Sequence, residues 1–307
     1  MGELEVYYKF ILSIALILIV ARGAGELAER FLNQPAVLGE LLAGIAISPF
    51  ALGGIIFQGD PILLNFGAID HAFGIEDFRV MEVFSMIAVI VLLFHAGVET
   101  DVHQFMRLGF GGSAIAVGGV VVPFIAGYFV TTMFGYPPAA AIFMGAVLTA
   151  TSIGITVRIL MDMKRFHTKE GTTILVAAVV DDILAVIILA LVVAIAVTGE
   201  ISIAGLVTLG AIGFSVWFAI VMVGVKFHTY VSRILLAPFK KSGTMPIFAL
   251  VFGLLLAYLM TLVQLHPVIG AYAAGLMFAA TKERKEIAHA IQPVMLFLAP
   301  LFFVMLG

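Results

Sequence analysis

Cysteine and charge are what this sequence lacks. None of its 307 residues is cysteine and only 11% are charged, against about a quarter in a soluble domain. The missing cysteines exclude disulfides, thiol catalysis and metal sites built on thiolates. Because 63% of the residues are hydrophobic, the low charge indicates a protein that lies in a bilayer.

The motifs of common enzyme classes are also missing. The sequence has no glycine-rich phosphate loop, no His-Glu-x-x-His and no Gly-x-Ser-x-Gly. Its 7 histidines are scattered without the spacing of metal ligands, and no basic run resembles a phosphate-binding patch. We therefore predict that the protein is not an enzyme, carries no cofactor and binds no nucleic acid.

Long apolar stretches fill most of the chain. A membrane helix needs about 20 apolar residues, and charges and prolines delimit about ten such stretches in this sequence. We therefore predict an all-α polytopic membrane protein whose first stretch is a retained helix rather than a signal peptide. The stretches are Tyr7–Ala24, Ala36–Phe57, Val80–Gly97, Phe105–Phe134, Pro138–Asp162, Gly171–Thr198, Ile203–Val225, Met245–Val263, Pro267–Ala280 and Pro293–Gly307.

The basic residues divide unequally between the two sides that alternating helices would create. Only Lys9 and Arg79 fall on one side, which also carries Asp60, Asp70, Glu76 and Asp77. Cytoplasmic loops are rich in Lys and Arg, so we predict a multi-pass protein of the cell (inner) membrane with its N-terminus outside. The loops on the predicted cytoplasmic side carry Arg22, Arg30, Arg107, Arg158, Lys164, Arg165, Lys169, Lys226, Arg233, Lys240, Lys241, Lys282, Arg284 and Lys285.

Two segments of the chain resemble each other. Pro35–Gly44 and Pro267–Gly275 both begin with proline and end with Gly-x-x-x-Ala-Gly. The alternation places them in opposite orientations, as in inverted-repeat transporters, although helix packing alone also selects small residues. We predict a single transmembrane domain over 1–307, with a first repeat at about 1–199, a linker helix at about 203–225 and a second repeat at about 245–307. The second repeat is three helices short, as expected of a fragment of a longer transporter.

Two adjacent carboxylates, Asp181 and Asp182, lie near the middle of the sixth stretch. A charged side chain at mid-membrane costs roughly 2.5–3.5 kcal/mol, so the pair requires a proton, a bound cation or a fixed partner. Exchange of a proton for a hard cation such as Na⁺ satisfies that requirement, and an ion pair that only packs helices is the alternative. Neighbouring residues differ by about 100° around a helix, so the two need not share one role.

The preceding stretch carries three hydroxyls, Thr149, Thr151 and Ser152, followed by Gly154. They lie at a similar depth to the aspartates and favour an unwound helix whose freed carbonyls and hydroxyls face the carboxylates. The alternative is that each hydroxyl bonds to its own helix one turn earlier.

Two further residues, Glu40 and His95, are candidate accessory groups. Glu40 lies early in the second stretch, where it either lines an approach to the site or satisfies a helix end. His95 lies near the end of the third stretch and is either a pH sensor or a packed, hydrogen-bonded side chain. Glu99 and Asp101 follow His95, and we expect them to end the helix in solvent.

Taken in order, six motifs give the sequence a resemblance to the monovalent cation:proton antiporters, the family of sodium/proton exchangers and potassium-efflux systems. The resemblance implies an inverted-repeat antiporter fold of thirteen helices, about ten of them present, with two discontinuous crossing helices and a homodimer. It also implies that Asp182 carries Na⁺ and H⁺ and that Asp181 pairs with a lysine of a later helix. The motifs are Pro35–Gly44, Phe94–Asp101, Thr149–Ser152, Val180–Asp182, Pro267–Gly275 and Leu301–Gly307.

The function that we predict is antiport of Na⁺ (or Li⁺) against H⁺, with K⁺/H⁺ exchange as the alternative. The partners are then the monovalent cation, the proton and the lipid bilayer, and Na⁺ is the metal that binds at Asp181 and Asp182. A sodium-coupled symporter of an organic anion would need polar or basic groups in a larger cavity. A cation channel or sensor would show flux without coupling to protons.

Overall fold

A computed structural model describes residues 3–48, 80–198, 203–240, 243–263 and 265–307, and the regular elements in these ranges are all helical. A short helical segment, His228–Phe239, contains α, π and 3₁₀ turns. The other helices are α1 (Glu3–Leu32), α2 (Ala36–Ile47), α3 (Val80–Glu99), α4 (Val102–Met133), α5 (Pro138–Thr149), α6 (Ile153–Asp162), α7 (Lys169–Thr198), α8 (Ile203–Lys226), α9 (Met245–Leu262), α10 (Pro267–Ala279) and α11 (Arg284–Leu306).

Several helical stretches have the length and composition of membrane spans. In the described part of the chain, 6 stretches are long and apolar enough to cross a bilayer, and α2 and α10 are shorter apolar helices. The predicted all-α polytopic membrane fold is therefore confirmed. The stretches are Ile11–Leu32, Met81–Glu99, Val102–Met133, Pro138–Asp162, Met245–Leu262 and Arg284–Leu306.

Two predicted boundaries are wrong because polar helical turns extend beyond the apolar core. α1 continues past Ala24 to Leu32, and its last turns carry an exposed ion pair in which Arg30 Nε lies 2.8 Å from Glu26 Oε2. α11 begins nine residues before Pro293, at Arg284, and both Pro293 and Pro300 lie inside it. Membrane helices tolerate interior proline because neighbouring groups satisfy the freed carbonyls.

Some predicted features fall on residues that the structure does not describe. The second stretch was expected to run to Phe57, but the description of α2 stops at its C-cap, Ser48. The acidic loop around Asp60–Asp77 and the cation Lys241 also lie outside the described residues.

The chain divides into two compact units. One comprises residues 1–92, 161–163 and 290–307, and the other comprises 93–160 and 164–289. In the first unit α1 packs against α2, and a core forms from buried apolar side chains of α1, α3 and α11. Its fully buried members are Ile17, Ala21, Met81, Leu301 and Val304.

The second unit contains the aspartate pair. Here α4 packs against α5 and α7, α8 packs against α7 and α10, and α9 packs against α10. The repeated proline motif forms the close contact of α10 with α3, since a Cβ on Gly275 would lie 2.7 Å from the Cα of Gly97. Small residues let membrane helices approach to backbone contact, so this part of the motif has a packing role.

Candidate functional site

The predicted break in the fifth stretch lies next to the aspartate pair. α5 ends at Thr149, α6 begins at Ile153, and Ala150 between them has an extended backbone (φ −72°, ψ 119°). Ser152 Oγ accepts a hydrogen bond from Ile155 N at 3.4 Å and so satisfies one donor at the start of α6. The break therefore frees backbone groups between two helices that are each too short to cross the membrane.

Asp181 lies on α7 and receives a hydrogen bond from the break. The hydroxyl of Thr151 donates to Asp181 Oδ2, and Asp181 is only 7% exposed. Its other oxygen, Oδ1, is buried and has no hydrogen-bond partner among the residues described. An unpartnered buried carboxylate oxygen is costly, so this atom is a ready acceptor for a proton or a cation.

Asp182 follows on the same helix and is less deeply buried than Asp181. Because the helix turns by about 100° per residue, the two carboxylates leave α7 in different directions. Asp181 is held by the broken helix, whereas Asp182 is half-buried. Carboxylate and hydroxyl oxygens, such as those of Asp181 and Thr151, are the kind of ligand that hard cations prefer.

The three predicted hydroxyls have different partners. Thr151 contacts a carboxylate, whereas Thr149 is buried and donates to Ala146 O of its own helix at 2.7 Å. Ser152 caps α6, and its carbonyl accepts a hydrogen bond from the Thr156 hydroxyl at 3.1 Å. Thr149 and Ser152 therefore satisfy helix ends at the break, and Thr151 alone of the three has a recorded bond to an aspartate.

The two candidate accessory residues have their own local partners. Glu40 belongs to the first unit and is fully buried, with Oε1 3.3 Å from Nη1 of Arg22. Arg22 also donates to Leu296 O, so it joins α1, α2 and α11. These contacts favour the structural interpretation of Glu40.

His95 belongs to the second unit and is 2% exposed. Its Nε2 lies 4.0 Å from Oε1 of Glu99, and Arg284 donates to the Glu99 carbonyl where α3 ends. Asp101 is exposed and caps α4 by accepting from Gln104 N at 3.1 Å, as expected for a residue that ends α3 in solvent. His95 is thus a buried ring beside one carboxylate at the end of α3.

Two features of this region were not predicted from the sequence. The hydroxyls of Thr100 and Tyr272 lie 3.1 Å apart, and both residues are buried. A buried tyrosine needs a partner for its hydroxyl, so Tyr272 alone signalled such a pair. Arg158, expected in a cytoplasmic loop, lies inside α6 and is 5% exposed, so that placement is wrong. A long arginine stem lets the charged head reach a polar partner from within a helix.

Comparison with known proteins identifies the family of the chain. The family model described as "Sodium/hydrogen exchanger, transmembrane" matches residues 12–307. The chain belongs to this family. The resemblance to monovalent cation:proton antiporters that the six motifs indicate is therefore confirmed.

Curated members of the sodium/hydrogen exchanger family are similar over nearly the whole chain. The high-affinity Na⁺/H⁺ antiporter NhaS3 of Synechocystis is 36% identical over 97% of this chain and 67% of its own length. The Na⁺/H⁺-K⁺ antiporter GerN of Bacillus cereus is 33% identical over 98% of this chain and 71% of its own length. The probable Na⁺/H⁺ antiporter GerT of the same organism is 35% identical over 97% of this chain and 73% of its own length.

Proposed function

We propose that this protein exchanges Na⁺ (or Li⁺) for H⁺ across the cell membrane. The observation that carries the proposal is a mid-helix pair of carboxylates beside a broken helix, with Thr151 bonded to Asp181. The names of the relatives agree with it, since NhaS3 and GerT are described as Na⁺/H⁺ antiporters. Membrane proteins retain mid-membrane charges chiefly on ion and proton pathways.

In this proposal Asp182 is the carrier and Asp181 is the fixed member of the pair. Asp181 is buried and held by Thr151, whereas Asp182 is more exposed and so better placed to exchange its ligand. A carboxylate binds either a proton or a cation, and this exclusion couples the two fluxes. The resemblance implies a lysine partner for Asp181 in a later helix.

The first test is Asp182→Asn in proteoliposomes. Asparagine keeps the size of the side chain but does not exchange a proton, so Na⁺-dependent proton movement should be abolished. Asp101→Asn is the matched control, because asparagine caps a helix about as well as aspartate does and Asp101 is an exposed cap. Exchange at the wild-type rate in Asp182→Asn would refute the assignment.

K⁺/H⁺ exchange is the second candidate. The relative GerN is described as a Na⁺/H⁺-K⁺ antiporter, and this name is what favours K⁺ as the second cation. Rates measured with Na⁺ and with K⁺ at one fixed pH gradient separate the two functions. A K⁺ rate that exceeds the Na⁺ rate at equal concentration would overturn the preference for Na⁺.

The orientation of the chain and its assembly belong to the same proposal. The excess of basic residues supports an external N-terminus, a cytoplasmic 163–168 loop and the inner membrane. Because the chain has no cysteine, Tyr136→Cys and Arg165→Cys each introduce a single thiol. An impermeant maleimide should label only Tyr136→Cys in intact cells, and the reverse pattern would invert the topology.

The homodimer that the resemblance implies is tested by the mass of the detergent-solubilised protein.

A further inference from the structure

The segment that follows α8 turns away from the axis of that helix. α8 has 24 residues, so it is about 36 Å long and exceeds the roughly 30 Å hydrocarbon core of a bilayer. At its end the chain bends by 75° into residues 228–239. Because α8 alone has the length of a complete span, we place the segment that follows the bend at the edge of the bilayer.

Exposed basic side chains lie within the segment and at both of its ends. Lys226, Arg233 and Lys240 are spaced seven residues apart and are all exposed. Lys226 is the last residue of α8, Arg233 lies within the segment, and Lys240 follows the last residue of the segment. No aspartate or glutamate occurs between residues 201 and 282 of the sequence, so no neighbouring acidic residue along this stretch offsets their charge.

Exposed apolar side chains adjoin the basic ones. Phe227, Tyr230 and Ile234 are 44%, 60% and 67% exposed and follow a spacing of three and four residues. On the opposite side, Leu236 is 1% exposed and packs into the unit. Exposed aromatic and aliphatic side chains beside lysine and arginine are typical of helices that lie in a membrane interface.

One carboxylate fixes the segment in place. Glu283, in the loop before α11, accepts hydrogen bonds from Ser232 Oγ at 2.9 Å and from Lys240 Nζ at 3.5 Å. Lys240 is thereby engaged, while Lys226 and Arg233 form no ion pair with any residue in the described part of the chain. The Lys226 ammonium lies 5.8 Å from the centre of the Phe227 ring, so a basic and an aromatic side chain are in contact.

We propose that Lys226 and Arg233 bind the headgroups of anionic phospholipids, while Phe227, Tyr230 and Ile234 lie among the adjoining acyl chains. The charge of the two side chains complements a phosphodiester whose headgroup adds no positive charge. A soluble acidic protein would complement the charges but would leave the adjoining apolar side chains exposed to water. A lipid satisfies both kinds of side chain with one molecule.

The single tryptophan of the chain makes a direct test feasible. Trp217 lies on α8 nine residues before Lys226, or about 14 Å along the helix, within the range of energy transfer to a dansyl group. The full chain is reconstituted in phosphatidylcholine vesicles that contain dansyl-labelled phosphatidylglycerol or dansyl-labelled phosphatidylcholine. We expect stronger transfer to the labelled phosphatidylglycerol, reversed by unlabelled phosphatidylglycerol and not by unlabelled phosphatidylcholine.

A charge-matched pair of variants isolates the site. Lys226→Gln with Arg233→Gln should lower the preference for phosphatidylglycerol by about fivefold for each lost charge. Transfer to the two labelled lipids should then be nearly equal. Arg107→Gln with Lys169→Gln removes two exposed charges elsewhere and should keep the wild-type ratio. Equal transfer to both labelled lipids in the wild type, or equal losses in both double variants, would overturn the proposal.

Salt supplies a measurement that needs no substitution. The Debye length falls from about 10 Å at 0.1 M salt to about 3 Å at 1 M, so the wild-type preference should decline over that range. A preference that persists unchanged at 1 M salt would exclude headgroup charge as its source.

Discussion

Substitution of Thr151 tests most directly whether a hydroxyl of the break contributes to cation binding or only to the local helix structure. Its hydroxyl donates to the buried carboxylate of Asp181, whereas the hydroxyl of Thr149 donates to a carbonyl of its own helix. Both are threonines of the same break, and valine replaces either with almost the same shape. The pair Thr151→Val and Thr149→Val therefore tests which hydroxyl the carboxylates need.

The expected magnitude follows from the partner of each hydroxyl. A hydrogen bond to a charged group contributes about 1.5–3 kcal/mol, which corresponds to roughly 10–150-fold in affinity. Thr151→Val should raise the Na⁺ concentration for half-maximal exchange by at least about tenfold, because Asp181 loses the hydrogen bond that fixes its orientation at the break. Thr149→Val should change it by less than about threefold, since the carbonyl of Ala146 remains inside a helix.

The assay is decay of an imposed pH gradient in proteoliposomes, followed by a pH-sensitive dye as Na⁺ is titrated. Thr151→Ser keeps the hydroxyl and should recover most of the affinity, which separates the hydrogen bond from packing of the methyl group. If Thr151→Val exchanged Na⁺ with wild-type affinity, the bond to Asp181 would have no part in cation binding. If Thr149→Val lost as much, the effect would belong to the shape of the break.

The remaining predictions concern helix packing and the loop carboxylate of Glu283. Gly275→Ala should lower the free energy of unfolding by about 1–3 kcal/mol, since the new Cβ would lie 2.7 Å from Gly97 Cα, and thermal melts measure this loss. The control is Gly118→Ala, whose Cβ would meet nothing within 4 Å and which should be neutral or stabilising. An unchanged melt for Gly275→Ala would mean that α3 and α10 separate freely. Burial alone would raise the pKa of the Glu283 carboxyl, but hydrogen bonds from Ser232 and Lys240 hold that pKa below its ordinary value of 4.5. The wild type should therefore melt above Glu283→Gln at pH 7, and the difference should narrow as the pH falls through the lowered pKa; a difference that widens in acid would contradict this.

Most helices could be predicted from the sequence because the helix is the one low-energy conformation of an apolar run in lipid. With no water to satisfy backbone groups, a membrane segment must bond internally, so composition alone located most of the helices. The break at residues 150–152 was predictable for a related reason. Clustered hydroxyls offer the backbone alternative partners, and Thr149 and Ser152 do make such local bonds.

Contacts between distant segments were not accessible in this way. The Arg22–Glu40 pair joins residues 18 apart and the Thr100–Tyr272 pair joins residues 172 apart. The residues around each member of these pairs do not identify its partner, although a buried glutamate and a buried tyrosine each require one. Helix ends failed similarly, because α11 begins in a charged amphipathic turn in which Ile287 is buried.

The contacts also give a structural reason to assign different roles to the two adjacent aspartates. From sequence alone they form one symmetrical feature, and only the resemblance to a family divided their roles. The structure supplies a physical asymmetry instead, since Asp181 is buried and bonded to Thr151 while Asp182 is more exposed. A carrier must exchange its ligand with an aqueous pathway, and the buried Asp181 is less accessible for that exchange than its half-buried neighbour. Loss of the Thr151 hydroxyl should therefore weaken cation binding without abolishing exchange, whereas loss of the Asp182 carboxylate should abolish exchange altogether.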